Sequence, residues 1–167
     1  TSINVNGIRA AVKQRNEDNP GMLAWLRESS SDVVLLQEVR ATVEESVKAL
    51  QPALDAGWHY VGAPAAARGR AGVGILSRAP LDDVRVGLGS FADSGRWIEG
   101  TFDGVRVASL YLPSGSAGSE KQDEKYLFLD EFGPVLEERA GEFPDMVIGG
   151  DWNICHRRED LKNWKGN

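Results

Sequence analysis

A layered α/β or α+β fold with a mixed sheet is what the sequence predicts, and three observations carry the prediction. Residues 32–38 and 145–150 are short, nearly continuous apolar runs, as in strands covered on both faces. Each run follows a segment with helical spacing. Between them, residues 59–111 hold several β-rich stretches punctuated by Gly and Pro, the pattern of antiparallel strands. With 167 residues, of which 41% are apolar, the chain has enough material for one domain with a real core. A single domain over residues 1–167 is expected, since no repeat, low-complexity segment or linker interrupts it.

Taken in order, residues 1–6 read as a strand already under way and not as a signal peptide. There is no initiator Met, and the polar end at residues 162–167 carries no closing element, so both ends are expected to be cut. Residues 21–28 have helical spacing, with Asp18 or Asn19 as the candidate N-cap and Pro20 in the first turn. Thr42 followed by Glu45 is a capping-box pattern that opens a helix over residues 42–50. Strands are expected around residues 59–61, 73–77 and 81–87. Residues 96–102 and 105–111 flank Asp103-Gly104, a strong hairpin signal. Residues 119–139 read as a helix with Tyr126, Leu127, Leu129 and Phe132 as its buried stripe.

Composition excludes several classes. One cysteine, Cys155, rules out a disulfide framework and points to a reducing compartment. No stretch is long and apolar enough to span a bilayer as a helix, and no membrane association is expected. The net charge of −6 is that of an ordinary cytoplasmic enzyme, and any nucleic-acid contact must come from a local basic surface or a bound cation. Arg68, Arg70 and Arg78 around one loop, and Arg157, Arg158, Lys162 and Lys165 in the tail, are the candidates for that surface.

The chemistry concentrates at four strand ends: Asn4 and Asn6, Gln37 and Glu38, Tyr111, and Asp151 with Asn153. Strands that deliver polar groups at their tips hold a site on rigid elements. Two carboxylates with amide oxygens, and no imidazole or thiolate among them, suit a hard cation, Mg²⁺ or Mn²⁺. Such an ion polarises a phosphoryl oxygen, while a second carboxylate takes a proton from water. Each feature also has an ordinary explanation as a solvated terminus, an Asx turn or a packed aromatic. A Walker-type loop, a GxSxG elbow and a GxGxxG spacing are all absent. Cys155-His156 is a poor nucleophile pair, because chain neighbours rarely face each other.

Together the motifs carry a resemblance. Asn4-Val5-Asn6-Gly7-Ile8-Arg9-Ala10, Leu36-Gln37-Glu38, Gly72-Val73-Gly74-Ile75-Leu76-Ser77, Tyr111-Leu112-Pro113-Ser114-Gly115, Gly150-Asp151-Trp152-Asn153-Ile154 and the segment from His156 through Asp160-Leu161 to Asn167 resemble, in order, the motifs of the exonuclease III-type AP endonucleases. The resemblance implies a four-layer α/β/β/α sandwich with mixed sheets, incomplete at the C-terminus in this chain. It implies Glu38 and Asn6 at the metal, and Asn4, Tyr111, Asp151 and Asn153 as catalytic groups. Arg9, Ser114, Lys125 and Trp152 are expected on the substrate side. The implied reaction is Mg²⁺- or Mn²⁺-dependent hydrolysis of double-stranded DNA 5′ to abasic sites, or removal of nucleotides or blocks from 3′ ends, by a cytoplasmic, nucleoid-associated monomer. Some family members carry Asp where this chain has Asn6. The family continues past this point to a further Asp, an aromatic wedge and a Ser-Asp-His, so residues 1–167 alone are expected to lack activity. A small-molecule or lipid phosphoesterase of the same superfamily, and an inactive nucleic-acid-binding regulator of the same fold, are the competing readings.

Overall fold

The computed structural model describes residues 1–115 and 118–161, and its two four-stranded sheets face each other with helices outside both. The tail positions Lys162, Asn163, Lys165, Gly166 and Asn167 lie outside the described residues. The first sheet holds β1 (Ser2–Asn4), β2 (Val33–Gln37), β4 (Val73–Ser77) and β3 (His59–Ala63), in that spatial order. β1 runs parallel to β2, and the other pairs are antiparallel. The second sheet holds β5 (Asp82–Val86), β6 (Trp97–Phe102), β7 (Val105–Tyr111) and β8 (Met146–Asp151), with only β7 and β8 parallel. Helices α1 (Ile8–Ala11), α2 (Met22–Glu28) and α3 (Val43–Leu54) cover the first sheet, and α4 (Glu120–Glu142) covers the second. The architecture is therefore the expected four-layer sandwich.

Strand alternation sorts the side chains into three cores. Val34 and Leu36 face Leu26, Leu50 and Trp58 on the helical side, while Leu35 joins Ile75, Ile98 and Val107 between the sheets. Ala108 and Leu110 meet Phe128 and Phe132 of α4. At the Asp103-Gly104 turn both residues take positive φ, 47° and 80°, which matches the right-handed twist of the strands it joins.

Some local expectations need correction. α2 starts one residue past Gly21 (φ 85°), and Asn19 instead accepts the Gly21 N–H, so neither Asp18 nor Pro20 belongs to the helix end. The phase of the α4 stripe is shifted: Phe128 and Phe132 are buried, whereas Tyr126 is 59% and Leu127 50% exposed. Arg78 leaves the basic cluster altogether. It follows the end of β4 remote from Gly72, lies over the Trp58 ring at 3.9 Å and donates to the Ser29 carbonyl. Gln37 is buried between the sheets, donating to Ser109 Oγ, so it fastens the layers and does not face outward.

A charge cluster at the far end of the second sheet couples stability to pH. Arg85 donates to both oxygens of Glu142 and to Asp83, holding each carboxyl below its ordinary value of 4.5 or 3.8. For a lowered carboxyl, the added stability is complete above the ordinary value and is lost as pH falls through the depressed one. Arg85→Met should therefore flatten the loss of stability below pH about 4.5. Urea midpoints of wild type and variant, compared at neutral pH and near pH 3, read this directly; parallel losses would contradict it.

Candidate active site

The polar strand ends converge at one edge of the sandwich. The Asn4 amide donates to Glu38 Oε1 at 2.9 Å and to Asp151 Oδ2 at 2.8 Å, joining β1, the end of β2 and β8 through one side chain. Tyr111, paired in register with Asp151, stands beside Glu38. The Asn6 N–H donates to Asn4 Oδ1, which fixes the orientation of the bridging amide.

Two backbone devices make this meeting possible. In an unbroken strand, Glu38 would follow Leu36 to the helical side. Its left-handed φ of 51° breaks the alternation and re-aims the carboxylate. That conformation is costly for a residue with a Cβ and persists only where the surroundings fix it. Here the Glu38 carbonyl accepts from the Gly7 N–H at 2.7 Å, and the Val39 and Arg40 N–H groups donate to the Gly72 and Ala71 carbonyls. The second device is Gly149-Gly150. A Cβ at Gly149 would lie 2.6 Å from Leu35 Cδ1, and one at Gly150 would lie 2.1 Å from the Leu110 carbonyl oxygen. At Gly150, where the clash is with main chain, only glycine lets β8 pack this closely and carry Asp151 to Asn4.

The electrostatics assign distinct states. Burial pushes the Glu38 carboxyl up, but the Asn4 amide, the Arg40 charge and the Tyr111 hydroxyl together hold it below the ordinary carboxylate value. Burial, then the charge and hydrogen bond of Glu38, push the Tyr111 phenol up, so it keeps its proton and remains a donor. Arg40 pairs with Glu38 Oε2.

The remaining candidates occupy varied places. Asn153 (φ 47°) donates its N–H to Asp151 Oδ1 at 3.1 Å and its side-chain amide to the Leu112 carbonyl at 2.8 Å. Arg9 pairs with Glu45 at the wall of a groove of about 560 Å³ that Arg40, Arg68 and Arg70 also line. Ser114 is exposed, and its carbonyl accepts from Lys125. Trp152 alternates away from Asp151, and its ring centroid lies 6.2 Å from that of Phe132 on the α4 side. Sequence reasoning missed Arg40 and Arg96. Arg40 stands two positions after Glu38, and Arg96 is equidistant with Tyr111 from the Asp103-Gly104 turn, a count that places them opposite each other.

The donor set fits a hard cation. Glu38 and Asp151 supply only carboxylate oxygens, Asn4 turns its NH₂ to both of them, Asn6 joins through its backbone N–H, and Cys155 lies apart, donating to the Arg157 carbonyl. No group of three or more His, Cys, Asp or Glu able to hold a metal occurs among the described residues. Two carboxylates suffice for Mg²⁺, which keeps several of its waters.

The profile of the Endonuclease/Exonuclease/phosphatase family matches residues 1–167. The chain belongs to this family. Within it, the chain is 29% identical to the exodeoxyribonuclease of Bacillus subtilis (strain 168), covering 99% of this chain and 62% of that protein. It is 28% identical to the DNA repair nuclease APEX1 of Danio rerio, covering 100% of this chain and 52% of the relative. An AP endonuclease from Archaeoglobus fulgidus superposes with a TM-score of 0.80 at 28% identity, over 96% of this chain and 62% of that structure. The chain thus spans between half and two thirds of the length of these family members. The likeness to exonuclease III-type enzymes read from the motifs agrees with these names.

Proposed function

We propose that this chain carries the metal and water side of a DNA-repair phosphodiesterase that cleaves double-stranded DNA 5′ to abasic sites, trims or unblocks 3′ ends, or does both. The observation that carries the reading is the Asn4 amide bridging Glu38 and Asp151, with Tyr111 beside them. Glu38 and Asn6 would hold Mg²⁺, or Mn²⁺ in its place, which when bound polarises a phosphoryl oxygen and offsets its charge. Asp151 accepts a proton from the attacking water or orients it. The protonated Tyr111 and the Asn153 amide donate to nonbridging phosphate oxygens without adding charge, while the Asn4 amide holds the two carboxylates in place. The exodeoxyribonuclease and AP-endonuclease names of the relatives support DNA as the substrate class. The groove lined by Arg9, Arg40, Arg68 and Arg70, with Glu44 and Glu45 among them, offers in Arg68 and Arg70 the local basic groups that a chain of net charge −6 needs for a phosphate backbone. The same proposal takes the whole protein to be a cytoplasmic, nucleoid-associated monomer.

A nicking assay on an abasic duplex with Mg²⁺ tests the reading. The whole protein should cleave, residues 1–167 alone should not, and Glu38→Ala in the whole protein should bind DNA without turning it over. Hydrolysis of an inositol phosphate with no action on DNA would replace the reading with a small-molecule phosphoesterase. DNA binding with no wild-type turnover would replace it with a regulator.

A further inference from the structure

We propose that Arg96 and Lys125 are positioning residues, which use helix α4 as a brace to set Tyr111 and Asn153 for the reaction. The inference rests on the proposed function above. Arg96 and Tyr111 are already joined through the backbone, the Tyr111 N–H donating to the Arg96 carbonyl at 2.8 Å. The Arg96 side chain then turns back over its partner. Nη1 donates to the Tyr111 carbonyl at 3.3 Å, and the guanidinium carbon sits 5.4 Å from the centre of the Tyr111 ring. Nη2 reaches Glu124 of α4 at 2.9 Å. The guanidinium is thus a strut between the tyrosine and the helix.

The next residue of α4 does the same for the other loop. Lys125 Nζ donates to the Asn153 carbonyl at 2.7 Å and to the Ser114 carbonyl at 3.3 Å. Asn153 in turn donates to the Leu112 carbonyl, so the segment after β7 and the segment after β8 are laced together through one ammonium. Gly115 closes this contact: a Cβ there would lie 2.6 Å from Gln122 Oε1 and 2.8 Å from Lys125 Cδ. The turn therefore rests directly on the helix.

Two features separate a brace from a substrate contact. The bonds of both cations run to main-chain carbonyls or to Glu124, with no phosphate-like partner needed to satisfy them. Arg96 Nε is buried without a hydrogen-bond partner among the described residues. A buried donor cannot reach a substrate, and the hydrogen bonds of the guanidinium run only to Tyr111 and Glu124. Because Glu124 and Lys125 are adjacent, any shift of the first turns of α4 moves Tyr111 and Asn153 together.

The test uses the whole protein with Arg96→Met and Lys125→Met, and two readouts. Amide hydrogen exchange over residues 112–115 and 153–154 should quicken about tenfold or more in Lys125→Met while β6 stays protected. On abasic duplex, each variant should lose about 10²-fold in kcat with KM held within about threefold. Arg96→Met should cost far less in a Tyr111→Phe background, because the hydroxyl it positions is already gone. Unchanged exchange would overturn the brace whatever the protein's activity. A rise in KM with kcat intact, or strictly additive losses with Tyr111→Phe, would overturn it by making the cations substrate or bystander groups. Failure of the wild type to cut DNA would defeat the functional reading while leaving the exchange result to decide the brace.

Discussion

Asp151→Asn in the whole protein is expected to lower kcat on an abasic duplex by about 10²–10⁴-fold, the range for a lost proton acceptor. The substitution keeps the size of the side chain and removes its charge. It also disturbs the hydrogen bonding. Both Asp151 oxygens accept, Oδ2 from the Asn4 amide and Oδ1 from the Asn153 N–H. An asparagine must turn its NH₂ toward one of these donors, so one bond becomes a clash of donors. The loss should therefore appear mainly in kcat, with DNA affinity kept or improved as a negative charge leaves the phosphate site. Single-turnover cleavage combined with a binding titration separates the two quantities. Turnover within about tenfold of wild type would remove Asp151 from the proton-handling role.

Much of this site is legible in the amino-acid sequence, because its members sit at strand ends and strand ends are marked by pattern. Glu38, Tyr111 and Asp151 lie where strand-like apolar runs end, Asn4 closes the short Thr1-Ser2-Ile3 segment, and the fold brings all four together. Thr42 and Glu45 form the capping box that their spacing predicts. What pattern cannot supply is direction. Alternation alone would send Glu38 to the helical side, and only its left-handed backbone, held by Gly7 and Gly72, returns it to the site. Trp152 and Lys125 lie next to site residues in space or sequence, yet one packs on Phe132 and the other bonds carbonyls. The phase of α4 escapes the pattern for a related reason. The helix carries apolar residues at Tyr126, Leu127, Phe128 and Leu129 in succession, so periodicity names no single face and the packing against Trp97 decides it.

The largest effect on stability is expected away from the site, at Glu99. Glu99 and Arg106 are both fully buried beneath α4. Glu99 accepts from Arg106 Nε at 3.3 Å and from Arg139 Nε at 2.8 Å. Arg106 Nη2 lies 3.2 Å from Glu99 Oε1 but is out of line for a hydrogen bond, so it stays a bare donor even in the intact network. Removing Glu99 leaves Arg106 with Asp83 as its carboxylate partner, at 3.3 Å and 51% exposed, and with the Phe143 ring 4.5 Å away. Glu99→Leu should thus cost about 3–5 kcal/mol, the penalty of stranding a buried charge. Arg106→Met should cost less, because Glu99 keeps Arg139. The double replacement Glu99→Leu/Arg106→Leu should recover much of the loss, since an apolar pair has no charge to desolvate. Denaturant midpoints at constant m-value rank the three variants. A double variant less stable than Glu99→Leu would show that the ion pair itself, and not the stranded charge, holds α4 to the sheet.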